Sequence, residues 1–191
     1  MPKGRLRYGL DWRTVRRTWK SGDRVTLQLP MEVTTSNWYE NSIAVERGPL
    51  VYGLKMEEKW EKKEFEGNEV TQFGKSYYQV TSPTKWNYGI LAFKPEQMQE
   101  NFQVSIDKAK QAGNYFWNIE NAPIQIKVKA KEITSWKLYN EMAGPLPLST
   151  GHSKQPVEEI TLIPYGCTTL RISEFPVVRW FRDISVKSDI Y

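Results

Sequence analysis

The sequence predicts an all-β fold of the β-sandwich, jelly-roll-like kind with minor helix. Three observations carry that expectation. Short apolar runs recur with period two, Gly and Pro punctuate them, and aromatic residues are dense, with eight Trp, ten Tyr and seven Phe in 191 residues. β-branched and aromatic side chains fit a pleated, half-buried surface, and roughly eight to ten such runs between turn signals read as a sandwich. Two arrangements stay open, a single sandwich or two small ones packed together. The expected division is a basic segment over 1–20, a first β part over 21–95 and a second over 96–191.

In chain order, residues 3–20 carry Lys3, Arg5, Arg7, Arg13, Arg16, Arg17 and Lys20 against one acid, Asp11, with Tyr8, Trp12 and Trp19 among them. Ser21, Gly22 and Asp23 end that run. Val25, Leu27, Leu29 and Met31 then alternate with Thr26, Gln28 and Pro30, the pattern of a half-buried strand. After a polar loop over 34–41 holding Trp38 and Tyr39, residues 42–54 form two apolar runs bent at Gly48 and Pro49, where Gly carries no Cβ penalty and Pro removes a ladder donor. Residues 55–66 read as a solvated charged connection. Strands are expected over 76–80 and 88–93, joined by a turn over 81–85, and short helices over 94–101 and 106–113, the second capped by Gly113.

The clearest pattern is at 124–131. Ile124, Ile126, Val128 and Ala130 share one face, while Gln125, Lys127, Lys129 and Lys131 share the other, so a core face opposes a wet lysine face. Trp136 to Asn140 continues in the same style, and Gly144, Pro145 and Pro147 break it. Two last strands are expected over 159–163 and 169–172, linked by a tight connection through Cys167.

Composition excludes several function classes. No run of about 18 apolar residues exists, so no membrane-spanning helix is expected and no membrane partner; residues 1–7 hold no apolar signal core, and the compartment is left open. A lone Cys167 excludes an internal disulfide, a cysteine metal cage and a CxxC pair. The net charge of +5 arises from interleaved signs, which argues for a solvated surface and against a nucleic-acid partner. The basic run with its aromatics keeps nucleic-acid binding as the least favoured alternative.

A search for chemistry finds no constellation that would carry out a reaction. His152 lies in a polar loop without a nucleophile motif, and Cys167 sits in an apolar run where a buried thiol is the ordinary state. Glu46 beside Arg47 reads as a structural anchor. No catalytic residue, metal ligand or cofactor is expected. Exposed aromatics next to polar edges could instead bind carbohydrate, and Trp38, Tyr39, Trp86, Trp117 and Glu120 are the candidates.

Trp19-Lys20-Ser21-Gly22-Asp23, Leu29-Pro30-Met31 and the run from Val45 through Glu46-Arg47-Gly48-Pro49 to Tyr52 stand in an order that resembles the C-terminal part of glycoside hydrolase family 127, the β-L-arabinofuranosidase-type enzymes. Glu120 to Lys127, Trp136 to Asn140 and Ile163-Pro164-Tyr165 are similar to later parts of such chains, so the resemblance covers most of 15–175. It implies β-sandwich domains that follow a catalytic (α/α)6 barrel, in which a cysteine nucleophile and a zinc site of cysteines and glutamate act. Nothing here matches that barrel, so no catalytic or zinc residue carries over. The expectation is a non-catalytic accessory module that scaffolds the barrel and contacts plant-type glycan. The alternative is a stand-alone carbohydrate-binding module. The resemblance also implies earlier strands before Trp19, and without them an unpaired sheet edge would be open to self-association.

Overall fold

A computed structural model describes residues 16–67, 69–108 and 117–179. The basic positions Lys3 to Arg13 and the Gly113 cap lie outside the described residues. The chain has the all-β, sandwich-like fold expected, built on one curled nine-stranded sheet.

Thirteen strands are described. β1 (Val33–Asn37), β2 (Ile43–Arg47) and β3 (Leu50–Leu54) form an antiparallel meander. β4 (Lys59–Glu64) and β5 (Ser76–Thr81) make a separate two-stranded hairpin, with helix α1 (Glu69–Phe73) in its connection. β6 (Tyr88–Leu91), helix α2 (Met98–Asn101), β7 (Gln103–Ile106) and β8 (Ile124–Glu132) follow. β9 (Leu138–Tyr139) pairs with β10 (Met142–Ala143), and β11 (Val157–Pro164), β12 (Glu174–Phe175) and β13 (Val177–Val178) complete the set.

The longest strand organises the sheet. β8 takes β11 along one edge, from Lys131↔Val157 to Ile126↔Leu162. Its other edge is shared, with β7 against Ile124 to Lys127 and β6 against Ala130 to Glu132. β11 continues onto β3 and so onto β2. Residues 174–178 then tie the two ends, since β12 pairs with β2 and β13 runs parallel to β6. Chain continuity through Pro176 therefore links β2 back to β6, and the sheet curls round into a ring. Strands from 21–95 and from 96–191 are interleaved in it, with β6 between β8 and β13.

Closure creates one main core. Val45, Tyr52, Leu54, Ile90, Phe102, Ile126, Val128, Ala130, Leu162 and Phe175 are all buried in it. A satellite of Leu91, Ile133, Trp136 and Val178 lies beside it, and a smaller one joins Ala122, Ile163 and Cys167. Gly89 stands where residues 176–178 pass close over β6, since a Cβ there would sit 2.7 Å from Val178 Cγ1 and 3.1 Å from the Pro176 carbonyl oxygen.

Several elements depart from the sequence reading. Residues 25–31 form no strand, and Val25, Leu27, Leu29 and Met31 are 68%, 72%, 55% and 46% exposed. Alternation gives them a face, but no strand among the described residues pairs with them. The polar stretch at 34–41 contains most of β1, because pairing with the apolar β2 pulls Thr34, Thr35 and Ser36 into the ladder. The charged stretch at 55–66 contains β4, whose Lys59, Glu61 and Lys63 form a row of ion pairs at i, i+2 spacing. Ile106 ends a strand where a helix was expected to start. Residues 169–172 are not a strand; the strands fall at 174–178, where Phe175 and Val178 reach the core. The lysine face of β8 is only partly wet, since Lys131 is buried and donates to the Ser153 carbonyl at 3.2 Å.

Candidate functional site

A cleft of about 770 Å³ opens at the root of the β4–β5 hairpin. One wall is the chain leaving β3, Leu54 to Glu58, and the opposite wall is Pro83 to Lys85 with Tyr88. Glu159, Ile160 and Thr161 of β11 and the turn at Ile119 and Glu120 complete the lining. Met56 and Ile160 are buried in the core, so the cleft has an apolar floor under a polar rim.

Dense hydrogen bonding fixes one carboxylate of the lining, Glu58, and one behind it, Glu158, which reaches the cleft only through Tyr88 and Lys85. Glu58 accepts from the Thr168 hydroxyl at 2.7 Å, the Thr169 amide at 2.6 Å and the Leu170 amide at 3.1 Å, and its second oxygen accepts from the Trp60 indole N–H at 3.2 Å. Partial burial pushes its carboxyl up, yet these donors outweigh burial and hold it below its ordinary range. Glu158 accepts from the Tyr88 hydroxyl at 2.7 Å and pairs with Lys85 at 3.0 Å. Tyr88 first and Lys85 second hold the Glu158 carboxyl down. Lys85 also pairs with Glu132 at 3.0 Å, and both carboxylates raise its ammonium. Burial, reinforced by Glu158, pushes the Tyr88 phenol up to about 12.

The chemistry this permits is recognition by hydrogen bonds. Glu58 is held charged by residues 168–170 and Trp60, Glu158 and Lys85 hold each other charged, and none of the three is set at a pKa near 7 for proton transfer. Burial pushes the Cys167 thiol up to about 11, the state of an inert buried thiol.

The five sequence candidates do not share one surface. Glu120 lines the cleft, and Trp117, three positions before it, is exposed. Trp38 is exposed in the β1–β2 connection, where its indole N–H donates to Ser36, which in turn donates to Glu46 at 2.6 Å. Glu46 thus ties β1 to β2, the structural role read for it. Tyr39 lines a smaller hollow of about 240 Å³ with Arg171, Leu146 and Trp136. Trp86 is half-buried and packs edge-on against Trp136 at 4.9 Å, a core contact.

Sequence reasoning missed Trp60, Glu58, Lys85 and Tyr88. The alternation of charge through Lys59, Glu61 and Lys63, set against the β-forming run Tyr77, Tyr78 and Val80, was the available signal for the hairpin that carries Trp60. Nothing in the sequence marks Lys85 as lying between Glu132 and Glu158, because those contacts span 47 and 73 positions. No family model, no curated protein and no solved structure matches this chain.

Proposed function

We propose that the chain is a non-catalytic accessory module of a family 127-like glycoside hydrolase, docking against its catalytic (α/α)6 barrel and contacting plant-type glycan. The observation that carries this reading is the segment 25–31, with four large apolar side chains on alternate positions, all exposed and leading directly into strand β1. Leaving one such side chain in water is ordinary; leaving a row of four forfeits the burial that a strand pattern encodes, each worth roughly 1.5–3 kcal/mol when fully buried. A second domain would supply that burial. Met31 lies beside the β2–β3 turn, its sulfur where a Cβ on Gly48 would stand, so one end of the row adjoins that turn.

The test is addition of the isolated barrel of a family 127 β-L-arabinofuranosidase, followed by analytical ultracentrifugation. A one-to-one complex is expected, and Leu27→Glu with Leu29→Glu should abolish it. Wild-type chain that sediments free of the barrel would refute the docking.

A second reading is favoured by the symmetry of the same segment. Around Gln28 the apolar positions mirror one another, Val25 with Met31 and Leu27 with Leu29, so two copies running antiparallel would align their apolar rows. Light scattering separates the two: a dimer in the absence of the barrel that Leu27→Glu dissolves supports self-association, and a monomer at high concentration supports docking to another domain.

A further inference from the structure

We propose that the cleft at the root of the β4–β5 hairpin binds neutral sugar residues, with the Trp60 indole as the stacking platform. This rests on the glycan-contact part of the reading above and gives it a place and a selectivity that the resemblance does not supply.

Trp60 is held and yet uncovered. Its N–H donates to Glu58, a residue that lines the cleft, and Tyr78 packs edge-on against it at 5.9 Å and 67°. It belongs to none of the core clusters and remains 53% exposed. The hairpin that carries it is its own two-stranded sheet, and such a unit is marginal alone in water. An oriented indole on that support covers no core. Its face carries the negative part of the ring quadrupole, which attracts the polarised C–H groups of a sugar ring.

The cleft supplies the other half of sugar recognition. Its volume lies within the roughly 300–1,000 Å³ typical of small-ligand sites. Thr84, Thr161, Glu57 and Glu120 line the rim with hydroxyl and carboxylate oxygens, and Glu58 and Glu159 line it too, the first engaged by residues 168–170 and Trp60 and the second by Lys127. Charge sets the class of glycan. Counted with the charges paired to the lining, six glutamates (Glu57, Glu58, Glu120, Glu132, Glu158 and Glu159) stand against three lysines, Lys55, Lys85 and the Lys127 that pairs with Glu159 at 2.7 Å. On a chain of net charge +5 this is a locally acidic site. Uronates, sulfated sugars and phosphates would meet repulsion there, whereas neutral sugar hydroxyls would find acceptors.

The test is isothermal titration of the full chain with arabino- and xylo-oligosaccharides, against oligogalacturonates of equal length. Binding of at least one neutral series and none of the anionic one is expected. Trp60→Ala should weaken binding by about tenfold or more, the effect of losing roughly 1.4 kcal/mol. Trp60→Phe should recover part of it, which shows that a ring is needed and that the fold survives. Trp38→Ala should leave affinity unchanged. Three results would overturn the inference: no neutral oligosaccharide binds, the oligogalacturonate binds better, or Trp60→Ala binds as wild type. The Leu27→Glu, Leu29→Glu variant separates the two proposals, since it should bind sugar normally while failing to dock, and Trp60→Ala should dock normally.

Discussion

Residues 25–31 and strand β8 carry the same period-two alternation and meet opposite ends. In β8, Ile126, Val128 and Ala130 are at most 3% exposed, with β11 on one edge and β6 and β7 on the other. In 25–31 the four apolar residues are between 46% and 72% exposed and no strand adjoins them among the described residues. Alternation therefore specifies which side chains share a face, and the neighbours decide whether that face is buried. This difference is why the proposed docking surface is placed at 25–31.

The contrast can be broken by substitution. Ile126→Ala, at the crossing of β7, β8 and β11, should cost about 3 kcal/mol in urea unfolding, through lost burial and a residual cavity. Gly89→Ala comes next at about 2 kcal/mol, because the added methyl meets Val178, Ile133 and the Pro176 carbonyl where the ring closes. Leu27→Ala should change stability by less than about 0.5 kcal/mol. A loss at Leu27 equal to that at Ile126 would mean that 25–31 is buried in the chain alone.

Between these extremes stands Glu58, which fastens residues 168–170 to the root of the hairpin. Its carboxyl is lowered in the folded chain, so the stability it contributes is present above the unfolded carboxylate pKa of about 4.3 and is lost as pH falls through the folded value. Glu58→Gln should therefore cost about 1 kcal/mol at pH 7, and the gap to wild type should narrow in acid. A pH-independent gap would assign the loss to packing. Tyr88 behaves in the opposite sense: its phenol is raised to about 12, so its contribution is complete below pH 10 and fades as pH rises through that value.

The fold class was legible because β8, β3 and β11 are buried strands whose apolar content matches their surroundings. The ring closure was not, because β12 and β13 are two residues each and Pro176 between them reads as a breaker. Their role depends on distant partners, Ile43 and Ala44 on one side and Ile90 and Leu91 on the other. The cleft was legible only at Glu120. Aromatic residues were singled out by their presence in loops, and the fold disperses them: Trp86 packs on Trp136, while Trp38 stays exposed in the β1–β2 connection with its N–H on Ser36. Trp60, hidden in a charged run that looked like a connection, is the one anchored beside the cleft by Glu58.

The most direct test of the docking claim is amide hydrogen exchange of residues 25–31, measured on the chain alone and with the family 127 barrel present. Unprotected amides are expected in the free chain, beside strongly protected ones in β8, with clear protection of 25–31 once the barrel is added. Protection equal to that of β8 in the free chain, or no gain when the barrel is bound, would contradict it.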